Sequence, residues 1–313
     1  MGKYSRYLLE KITSMYYVEN MSQDEISANL CISRSNVSRL LKRAREEKVV
    51  EVNINYTNKK KKNHSLEVIL KKRFSLLEVV IVNSLPSYQE TKELVTKAAA
   101  NYFDERVSPN GVVGVAAGTT LELMARKVSV VKKNLLVVNL IGSVDHKYVP
   151  FLSQEVQRLI ISNVGGDSYM LNVPIVMSSK KIADKILMEP GVKETVKMFN
   201  KVYWAFLGIG AINSEHPFLG MFSDREISLI QNEAIGNIGT IFYNINGEIV
   251  CNNITAKTLG IRKDELMKIP YRIGIASGMD KVEAILGGIR SQLINVLITE
   301  HDISEALVNS KVF

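Results

Sequence analysis

The sequence has few of the residues and segments on which disulfide-stabilised, metal-binding or membrane-spanning proteins depend. Its two cysteines, Cys31 and Cys251, fall in different predicted domains, and neither they nor the four histidines have the spacing of metal ligands. No apolar run approaches the ~20 residues needed to span a bilayer. The first twelve residues carry scattered charges and no continuous apolar segment, which argues against a signal peptide. We therefore expect a cytoplasmic protein that binds no metal or cofactor and does not associate with a membrane.

What the sequence does contain is enough apolar residues for a sizeable core, and a basic N-terminal segment. Of its 313 residues, 46% are hydrophobic and 23% are charged, which is ordinary for a globular protein with a small and a large domain. The net charge is +8, and residues 1–62 hold 13 Lys/Arg against 7 Asp/Glu, so most of the excess lies there. This charge balance favours an acidic partner such as nucleic acid.

Residues 23–47 have the spacing of a helix-turn-helix. Gln23 to Leu30 form a short predicted helix, and Cys31-Ile32-Ser33 is a turn that allows only a sharp angle between two helices. Ser33 is placed to cap the second helix, whose apolar residues recur at i, i+3, i+4 and i+7: Val37, Leu40, Leu41 and Ala44. The turn position of Cys31 often holds glycine, so a left-handed backbone there would cost some stability. This pattern predicts that the second helix enters the DNA major groove.

A second stripe of the same helix carries hydrogen-bonding groups and cations and no acidic residue. Such side chains can read base edges or hold phosphates. The predicted DNA-contacting residues are Gln23, Ser33, Arg34, Ser35, Asn36, Ser38, Arg39 and Lys42, with Gln23 and Asn36 assigned to the DNA backbone. The alternative is a pair of amphipathic helices that touches no nucleic acid, as occurs in many α-helical domains.

The segments around this motif predict where the first domain ends. A helix at 4–19 supplies an apolar face for the motif, and alternating residues at 49–54 predict a short strand, the beginning of a wing. Residues 57–64, TNKKKKNH, break every periodicity and predict a solvated linker, although their lysines could also contact phosphates. The expected domains are residues 1–56, which bind DNA, the linker 57–64, and a larger domain at 65–313.

From residue 65 onward, short apolar runs alternate with segments of helical spacing. The runs are rich in β-branched residues and lie at 76–82, 112–116, 135–141, 174–177, 202–210, 271–276 and 295–299. This alternation predicts an α/β domain with a mostly parallel, Rossmann-like sheet covered by helices on both faces. Asn246-Gly247, between two alternating runs, predicts a hairpin insertion at 240–252.

Loops at the predicted carboxyl ends of strands have the composition of an anion site. Gly118-Thr119-Thr120 opens a helix, so a glycine, two hydroxyl groups and a helix N-terminus meet there. Gly278 and Lys281 lie in the loop after 271–276, where an ammonium group in a first helical turn favours a bound anion. Neither G-x-G-x-x-G after the first of these strands nor a Walker-type lysine is present. Together the loops predict a phosphate site, although each alone also fits a plain helix cap or a solvated lysine.

Four segments resemble the SorC family of bacterial sugar-responsive transcription regulators. They are the helix-turn-helix at 22–52, VVGVAAGTTLELMA at 112–125, LGIGAI at 207–212 and SGMDKVEAILGGIRSQLINVLITE at 277–300. The resemblance covers nearly the whole chain and implies a sensor fold related to ribose-5-phosphate isomerase and glucosamine-phosphate deaminase, kept as a receptor. It also implies a phosphorylated sugar as effector and a homo-oligomer, usually a tetramer.

The resemblance also implies roles for single residues. Gly118, Thr119, Thr120 and Lys281 match positions that hold the effector phosphate. Asn237 stands where relatives often carry Asp or Glu near the sugar hydroxyls, and Gln154 lies near a position that contacts the effector in some relatives. With Asn139, at another strand end, the expected effector-binding residues are Gly118, Thr119, Thr120, Asn139, Gln154, Asn237, Gly278 and Lys281. Three positions depart from the family pattern: Ala117 replaces a common Trp, Ser277 a common Gly, and Ile141 a basic residue of some relatives. The last departure argues against a bisphosphate effector and against a Schiff base at that position.

The expected function is therefore sequence-specific binding of operator DNA under the control of a phosphorylated sugar. One alternative is an enzyme that isomerises or deaminates a sugar phosphate. Its acid–base candidates by loop position, which form no recognisable constellation, are Asp145, His146, Asp167 and Asp280. A second alternative is a constitutive DNA-binding protein whose large domain only oligomerises.

Overall fold

The computed structural model describes residues 6–50, 58–143, 153–213 and 216–310. It divides the chain into two compact units, Met1–Thr57 and Asn58–Phe313. No helix in the described ranges is both long enough and apolar enough to cross a membrane.

The N-terminal unit contains three helices, α1 (Arg6–Tyr17), α2 (Gln23–Leu30) and α3 (Arg34–Glu46). The predicted apolar stripe of α3 is confirmed, since Val37, Leu40, Leu41 and Ala44 are all buried. They pack with buried side chains of the other two helices, Leu9, Ile12, Met15 and Ile26. The strand predicted at 49–54 falls mostly on residues 51–57, which lie outside the described residues, and positions 49 and 50 are not in a strand.

The C-terminal unit begins with α4 (Asn58–Arg73), which differs from the predicted linker at 57–64. Residues 58–64 form the first turns of this helix. Lysine has a good helix propensity, and burial of Asn63, Leu66 and Leu70 anchors the helix to the rest of the unit. The larger unit therefore starts at residue 58 and not at 65.

A parallel sheet of seven described strands forms the centre of this unit. Its strands are β1 (Glu78–Val82), β2 (Val112–Val115), β3 (Leu135–Asn139), β4 (Gly166–Tyr169), β5 (Trp204–Ala211), β9 (Tyr271–Ile275) and β10 (Val296–Glu300). They lie in the order β1-β10-β9-β5-β2-β3-β4, and every neighbouring pair is parallel. The carboxyl ends of all seven strands therefore lie along one edge of the sheet, where open α/β folds bind ligands.

An antiparallel extension continues from the end of β5. It consists of β6 (Gly236–Ile238), β7 (Ile241–Tyr243) and β8 (Ile249–Val250), paired in that order. The hairpin predicted at 240–252 is confirmed by the β7–β8 pair. A second apolar cluster underlies this extension, with Phe218, Phe222 and Phe242 at its centre.

Helices cover the parallel sheet on both faces and complete its core. They are α5 (Tyr88–Arg106), α6 (Thr119–Ala125), α7 (Ser153–Val164), α8 (Lys180–Met188), α9 (Pro190–Met198), α10 (Asp224–Glu233), α11 (Asn252–Thr255), α12 (Lys263–Leu266), α13 (Val282–Arg290) and α14 (His301–Asn309). Short 3-10 helices lie at Phe199–Lys201, Pro217–Met221 and Met279–Lys281. The predicted fold class is confirmed, because continuous apolar strands such as β10 are buried on both faces of the sheet.

Two details of the sheet differ from the predictions. The prediction of a strand at 174–177 is wrong. This segment forms only isolated β-bridges, which pair Ser143 with Pro174 and Val176 with Thr258. Proline has no N–H to donate to a strand ladder, which limits pairing there. The edge strand β4 was not predicted, because its four residues are polar or small and mostly exposed.

Candidate functional site

The turn between α2 and α3 is held by side chains that satisfy the free backbone groups of both helices. Ser22 and Glu25 form a capping box at the start of α2. Ser27 donates its hydroxyl to Ile32 O at 2.6 Å, which closes the turn. Ser33 accepts a hydrogen bond from Asn36 N and caps α3, as the sequence predicted.

Cys31 adopts the left-handed conformation in this turn, with φ +49° and ψ +42°. Its backbone N–H bonds to Ser27 O and completes the end of α2. A non-glycine residue in this conformation costs on the order of 1–2 kcal/mol. The turn therefore has the expected geometry, but a cysteine at its left-handed position is less favourable than a glycine would be.

Replacing Cys31 by glycine should stabilise the N-terminal unit by about 1 kcal/mol, because glycine adopts a positive φ without steric cost. Native-state amide exchange of α3 in the full chain measures this, as slower exchange of the Leu40 and Leu41 amides. Asn20→Gly is the matched control, since Asn20 also has a positive φ but asparagine tolerates it. An equal gain in both variants would contradict a specific strain at Cys31.

The exposed face of α3 presents the predicted DNA-contacting side chains. Ser33, Arg34, Ser35, Ser38, Arg39 and Lys42 are exposed, and Gln23 and Asn36 are half-buried. Asn36 Oδ1 accepts a hydrogen bond from Arg39 Nη2 at 2.5 Å, which orients the guanidinium group. Arg34 Nε lies 3.4 Å from Asp24 Oδ1, and both side chains are 69% exposed. So exposed a pair contributes little stability, and Arg34 can exchange the carboxylate for a phosphate at small cost.

In the C-terminal unit, the start of α5 and the loop after β9 bring two ammonium groups, those of Lys92 and Lys281, to the carboxyl edge of the sheet. Gly118 (φ +143°) leads into α6, and no described atom lies within 4 Å of the position a Cβ would occupy there. Lys92, in the second turn of α5, donates to Thr119 Oγ1 at 3.0 Å. Lys281 ends the 3-10 helix that follows Gly278. The predicted Gly118 and Lys281 loops therefore lie at the same edge of the sheet, and there is open space beside Gly118.

Lys92 and Lys281 are both partly buried. Among the described residues, neither ammonium group forms an ion pair with a carboxylate. Burial lowers the pKa of Lys281, an effect that Asp280 and Glu300 oppose and the nearby charge of Lys92 reinforces. Burial also lowers the pKa of Lys92. Two neighbouring cations without a paired anion form a site that favours a doubly charged oxyanion.

Two buried asparagines at the same end of the sheet have unused hydrogen-bonding atoms. Asn139, at the end of β3, is 1% exposed, and neither of its amide atoms has a partner among the described residues. Asn237, on β6, donates to Gly239 O at 2.8 Å, but its buried Oδ1 has no described partner. Buried polar atoms are almost always hydrogen-bonded in folded proteins. These atoms are therefore available to a polar ligand.

His216 belongs to the same group of side chains. A Cβ on Gly210 would lie 2.2 Å from Asn237 Oδ1 and 2.5 Å from His216 Nε2, so the three residues are in close contact. Burial, with a smaller contribution from the charge of Lys281, lowers the pKa of His216 from 6.5 to about 4. The imidazole is therefore neutral near pH 7, when it can both donate and accept a hydrogen bond.

This shift predicts a loss of stability in mild acid. Because His216 has the lower pKa in the folded state, the unfolded chain binds more protons between pH 6.5 and 4. The free energy of unfolding should thus keep its full contribution from His216 above pH 6.5 and fall by about 3 kcal/mol as the pH approaches 4. Urea unfolding followed by the fluorescence of Trp204, the single tryptophan, measures it. His216→Asn should be less sensitive to pH by that amount, and equal sensitivity would contradict the assignment.

The remaining predicted effector-binding residues are less closely associated with the cations. Thr120 is buried beside Thr119, and its hydroxyl makes no hydrogen bond with a described residue. Gln154, on α7, donates to Ser143 Oγ at 2.7 Å and to Asn172 Oδ1 at 3.4 Å, and no described contact joins it to Lys92 or Lys281.

The acid–base candidates are not grouped into a described catalytic site. Asp145 and His146 lie outside the described residues. Asp167 is exposed on the edge strand β4, and Asp280 is exposed beside Lys281. No three His, Cys, Asp or Glu side chains in the described ranges are arranged to hold a metal ion.

Lys92 and His216 were not predicted as site residues. Lys92 could have been found, because the helix at 88–106 follows the first strand and its opening turns must lie at the carboxyl edge. His216 gave no usable signal, because it is a lone histidine just before a short 3-10 helix.

Comparisons with known proteins agree with this division of the chain. The model of a sugar-binding domain family, Sugar-bind, matches residues 58–309 and so begins where α4 begins. The model of Sigma-70 region 4 matches residues 11–47, which include α2 and α3.

Two curated relatives match along nearly their whole length. The deoxyribonucleoside regulator of Bacillus subtilis (strain 168) is 28% identical over 313 residues, covering 99% of each chain. The sorbitol operon regulator of Klebsiella pneumoniae is 29% identical over 310 residues, covering 96% of this chain and 97% of that one. The crystal structure of the full-length sorbitol operon regulator SorC from Klebsiella pneumoniae has a TM-score of 0.73 and 27% identity, covering 98% of this chain and 100% of that chain.

Proposed function

Because this chain belongs to the SorC family of sugar-binding transcriptional regulators, we propose that a phosphorylated sugar in its C-terminal unit controls the affinity of its N-terminal unit for operator DNA. The observation that carries the proposal is the pair of ammonium groups of Lys92 and Lys281, at the edge of the sheet where buried asparagine atoms have no described partner. These atoms are both amide atoms of Asn139 and Oδ1 of Asn237. Such a pocket suits a ligand with an anionic end and a hydroxyl-rich end.

The phosphate lies between the loops after β2 and β9. Lys281 supplies a charge-assisted hydrogen bond, and Lys92 supplies a second cation that already bonds to Thr119. Gly118 and Gly278, both with positive φ, let the backbone approach the phosphate closely. The hydroxyls of Thr119 and Thr120 complete the set. Because α6 has only seven residues, we assign most of the binding energy to the lysines and not to the helix N-terminus.

The sugar end of the ligand lies against Asn139, Asn237 and His216. An asparagine amide both donates and accepts, so it pairs well with a hydroxyl group that does the same. Neutral His216 adds no positive charge at this end. The proposed ligand therefore carries one phosphate, on one end, and an uncharged polyol or ring on the other. Gln154 is proposed as a more distant contact.

The DNA is bound by the exposed face of α3. Arg39 and Lys42 carry the charge, and Ser35 and Ser38 offer hydroxyl groups on the same stripe. A single α3 reads only a few base pairs, so a palindromic operator requires at least two copies of the chain. We propose a homo-oligomer, with a tetramer as the expected form.

We propose a receptor rather than an enzyme, because the buried carboxylate near Lys281, that of Glu300, already accepts two hydrogen bonds from the protein. Glu300 accepts hydrogen bonds from Ser277 Oγ at 2.5 Å and from Gly278 N at 3.1 Å. A general base must instead be free to take a proton from the substrate. We therefore propose that Glu300 holds the loop that contains Ser277 and Gly278 in place.

A thermal-shift screen tests the proposal directly. The full chain is heated with a panel of phosphorylated sugars and with the same sugars lacking phosphate, and each incubation is analysed for products. At a ligand concentration 100 times the Kd, binding should stabilise the C-terminal unit by roughly 2.7 kcal/mol. Saturable stabilisation by a phosphorylated sugar without turnover is the expected result. Turnover would indicate an enzyme, and no shift from any compound would favour a constitutive DNA-binding protein.

A further inference from the structure

A polar cluster outside the pocket ties the start of α4 to the carboxyl edge of the sheet. Asn63 is only 8% exposed, and its Nδ2 donates to Ile81 O at 3.3 Å and to Asn83 Oδ1 at 3.1 Å. Its Oδ1 lies 2.7 Å from His301 Nδ1. One buried side chain of α4 thus contacts the ends of two strands, β1 and β10.

An ion pair and a cavity accompany this contact. Lys62 Nζ lies 2.6 Å from Glu305 Oε1, and His301 Nε2 lies 3.2 Å from the same oxygen. A cavity of about 240 Å³ adjoins these groups and is lined by Lys62, Asn63, Asn83, Ser84, His301 and Asp302. The contact between α4 and His301 is therefore polar and has free volume beside it, unlike the close-packed core, so it can rearrange without opening that core.

The neighbouring residue, Glu300, holds the phosphate loop. Its carboxylate is 5% exposed and accepts hydrogen bonds from Ser277 Oγ and Gly278 N. Lys281 N in turn donates to Gly278 O at 3.0 Å. The position of Lys281 therefore depends on the position of Glu300.

Resting on the phosphate site proposed above, we infer that Glu300 and His301 together are positioning residues that transmit ligand binding at the Lys281 loop to α4. The two residues are consecutive, and their side chains bond to different segments, Glu300 to the loop and His301 to Asn63. From α4 the chain continues through residues 51–57 into the N-terminal unit. A change at the loop thus reaches α4, the first helix of the C-terminal unit.

The hydrogen bonds show how a movement of the loop passes to α4. A phosphate between Lys281 and Lys92 pulls the loop toward itself, and Glu300 follows because two hydrogen bonds join it to that loop. Ser304 Oγ donates to Glu300 O at 2.8 Å, so the first turn of α14, which includes His301, moves with it. Ligand binding then changes the contact of His301 with Asn63. Coupling of this kind requires that the ligand binds one arrangement better than the other.

Hydrogen–deuterium exchange of the full chain tests the inference, with inorganic phosphate as the probe and chloride at matched ionic strength as the reference. In the wild type, phosphate should slow exchange at 277–282 and should slow exchange at 62–70 by about threefold relative to α8. In Asn63→Leu and His301→Leu, protection at 277–282 should persist while the effect at 62–70 disappears. His301→Gln, which keeps a hydrogen-bonding group, should restore it.

A matched control separates transmission from general destabilisation. Asn163, on α7, also uses its amide to bond backbone groups, Ala125 O at 3.3 Å and Val128 O at 3.0 Å, but no described hydrogen bond joins it to α4. Asn163→Leu should keep both effects of phosphate. Protection of the loop without any change at 62–70 in the wild type, or an unchanged response in both leucine variants, would overturn the inference. No protection of the loop in the wild type would instead overturn the phosphate site itself.

Discussion

Replacing Lys281 by methionine should weaken the binding of phosphorylated sugars about 100-fold, or roughly 3 kcal/mol. The variant removes a partly buried ammonium group that has no described counter-ion and that the proposed phosphate would pair with. Methionine keeps much of the aliphatic length, so the change in packing is small. Isothermal titration of the full chain with a phosphorylated sugar measures the loss.

Two further variants make this result specific. Lys92→Met should weaken the binding of the phosphorylated sugar about tenfold. In the wild type the Lys92 ammonium group is already hydrogen-bonded to Thr119, so it contributes to phosphate binding mainly through its charge. Lys97→Met, on the exposed side of α5, is the matched control and should leave the affinity unchanged. If Lys281→Met and Lys97→Met bind the phosphorylated sugar equally well, the phosphate does not lie between these loops.

Replacing Arg39 by alanine should weaken binding to the operator by about 1–3 kcal/mol and relax the preference at one base pair. Arg39 is exposed on α3, and its guanidinium group is oriented by Asn36 at 2.5 Å. A bidentate contact to guanine requires such a defined orientation. Fluorescence anisotropy on a selected operator and on random DNA of the same length gives both affinities.

The control for Arg39 is Arg6→Ala, on α1, where the guanidinium group already pairs with exposed Glu10. This variant removes the same charge from the same unit and should change specific and non-specific affinity alike, and only slightly. The wild-type affinity should also fall with salt, with a log–log slope of about −0.9 per neutralised phosphate. An equal loss on operator and random DNA in Arg39→Ala would mean that Arg39 holds the DNA backbone and does not read a base.

The parts of the fold that were predictable are those in which one segment determines its own structure. The caps and apolar spacing of α3 are local, so Ser33 and the buried face were found from the sequence. The turn at Cys31 was expected to be left-handed if it followed the usual motif, and it is.

The parts that were missed depend on contacts between distant segments. The start of α4 is helical because Asn63 bonds to strand ends 18 residues and more away, which a run of lysines cannot reveal. The edge strand β4 pairs through its backbone, and its side chains carry no apolar pattern. In the pocket, Lys92 and His216 approach Lys281 only because α5 and β5 are brought to one edge of the sheet.

The central claim is that the bound ligand changes the affinity of the protein for operator DNA, and one titration tests it. Operator DNA is titrated with the full chain at constant ionic strength, first alone, then with a phosphorylated sugar that binds, then with the same sugar without its phosphate. We expect the phosphorylated sugar to change the operator affinity between about 5-fold and 150-fold, and the unphosphorylated sugar to leave it unchanged. An operator affinity that stays the same while the pocket is saturated with the phosphorylated sugar would contradict the account.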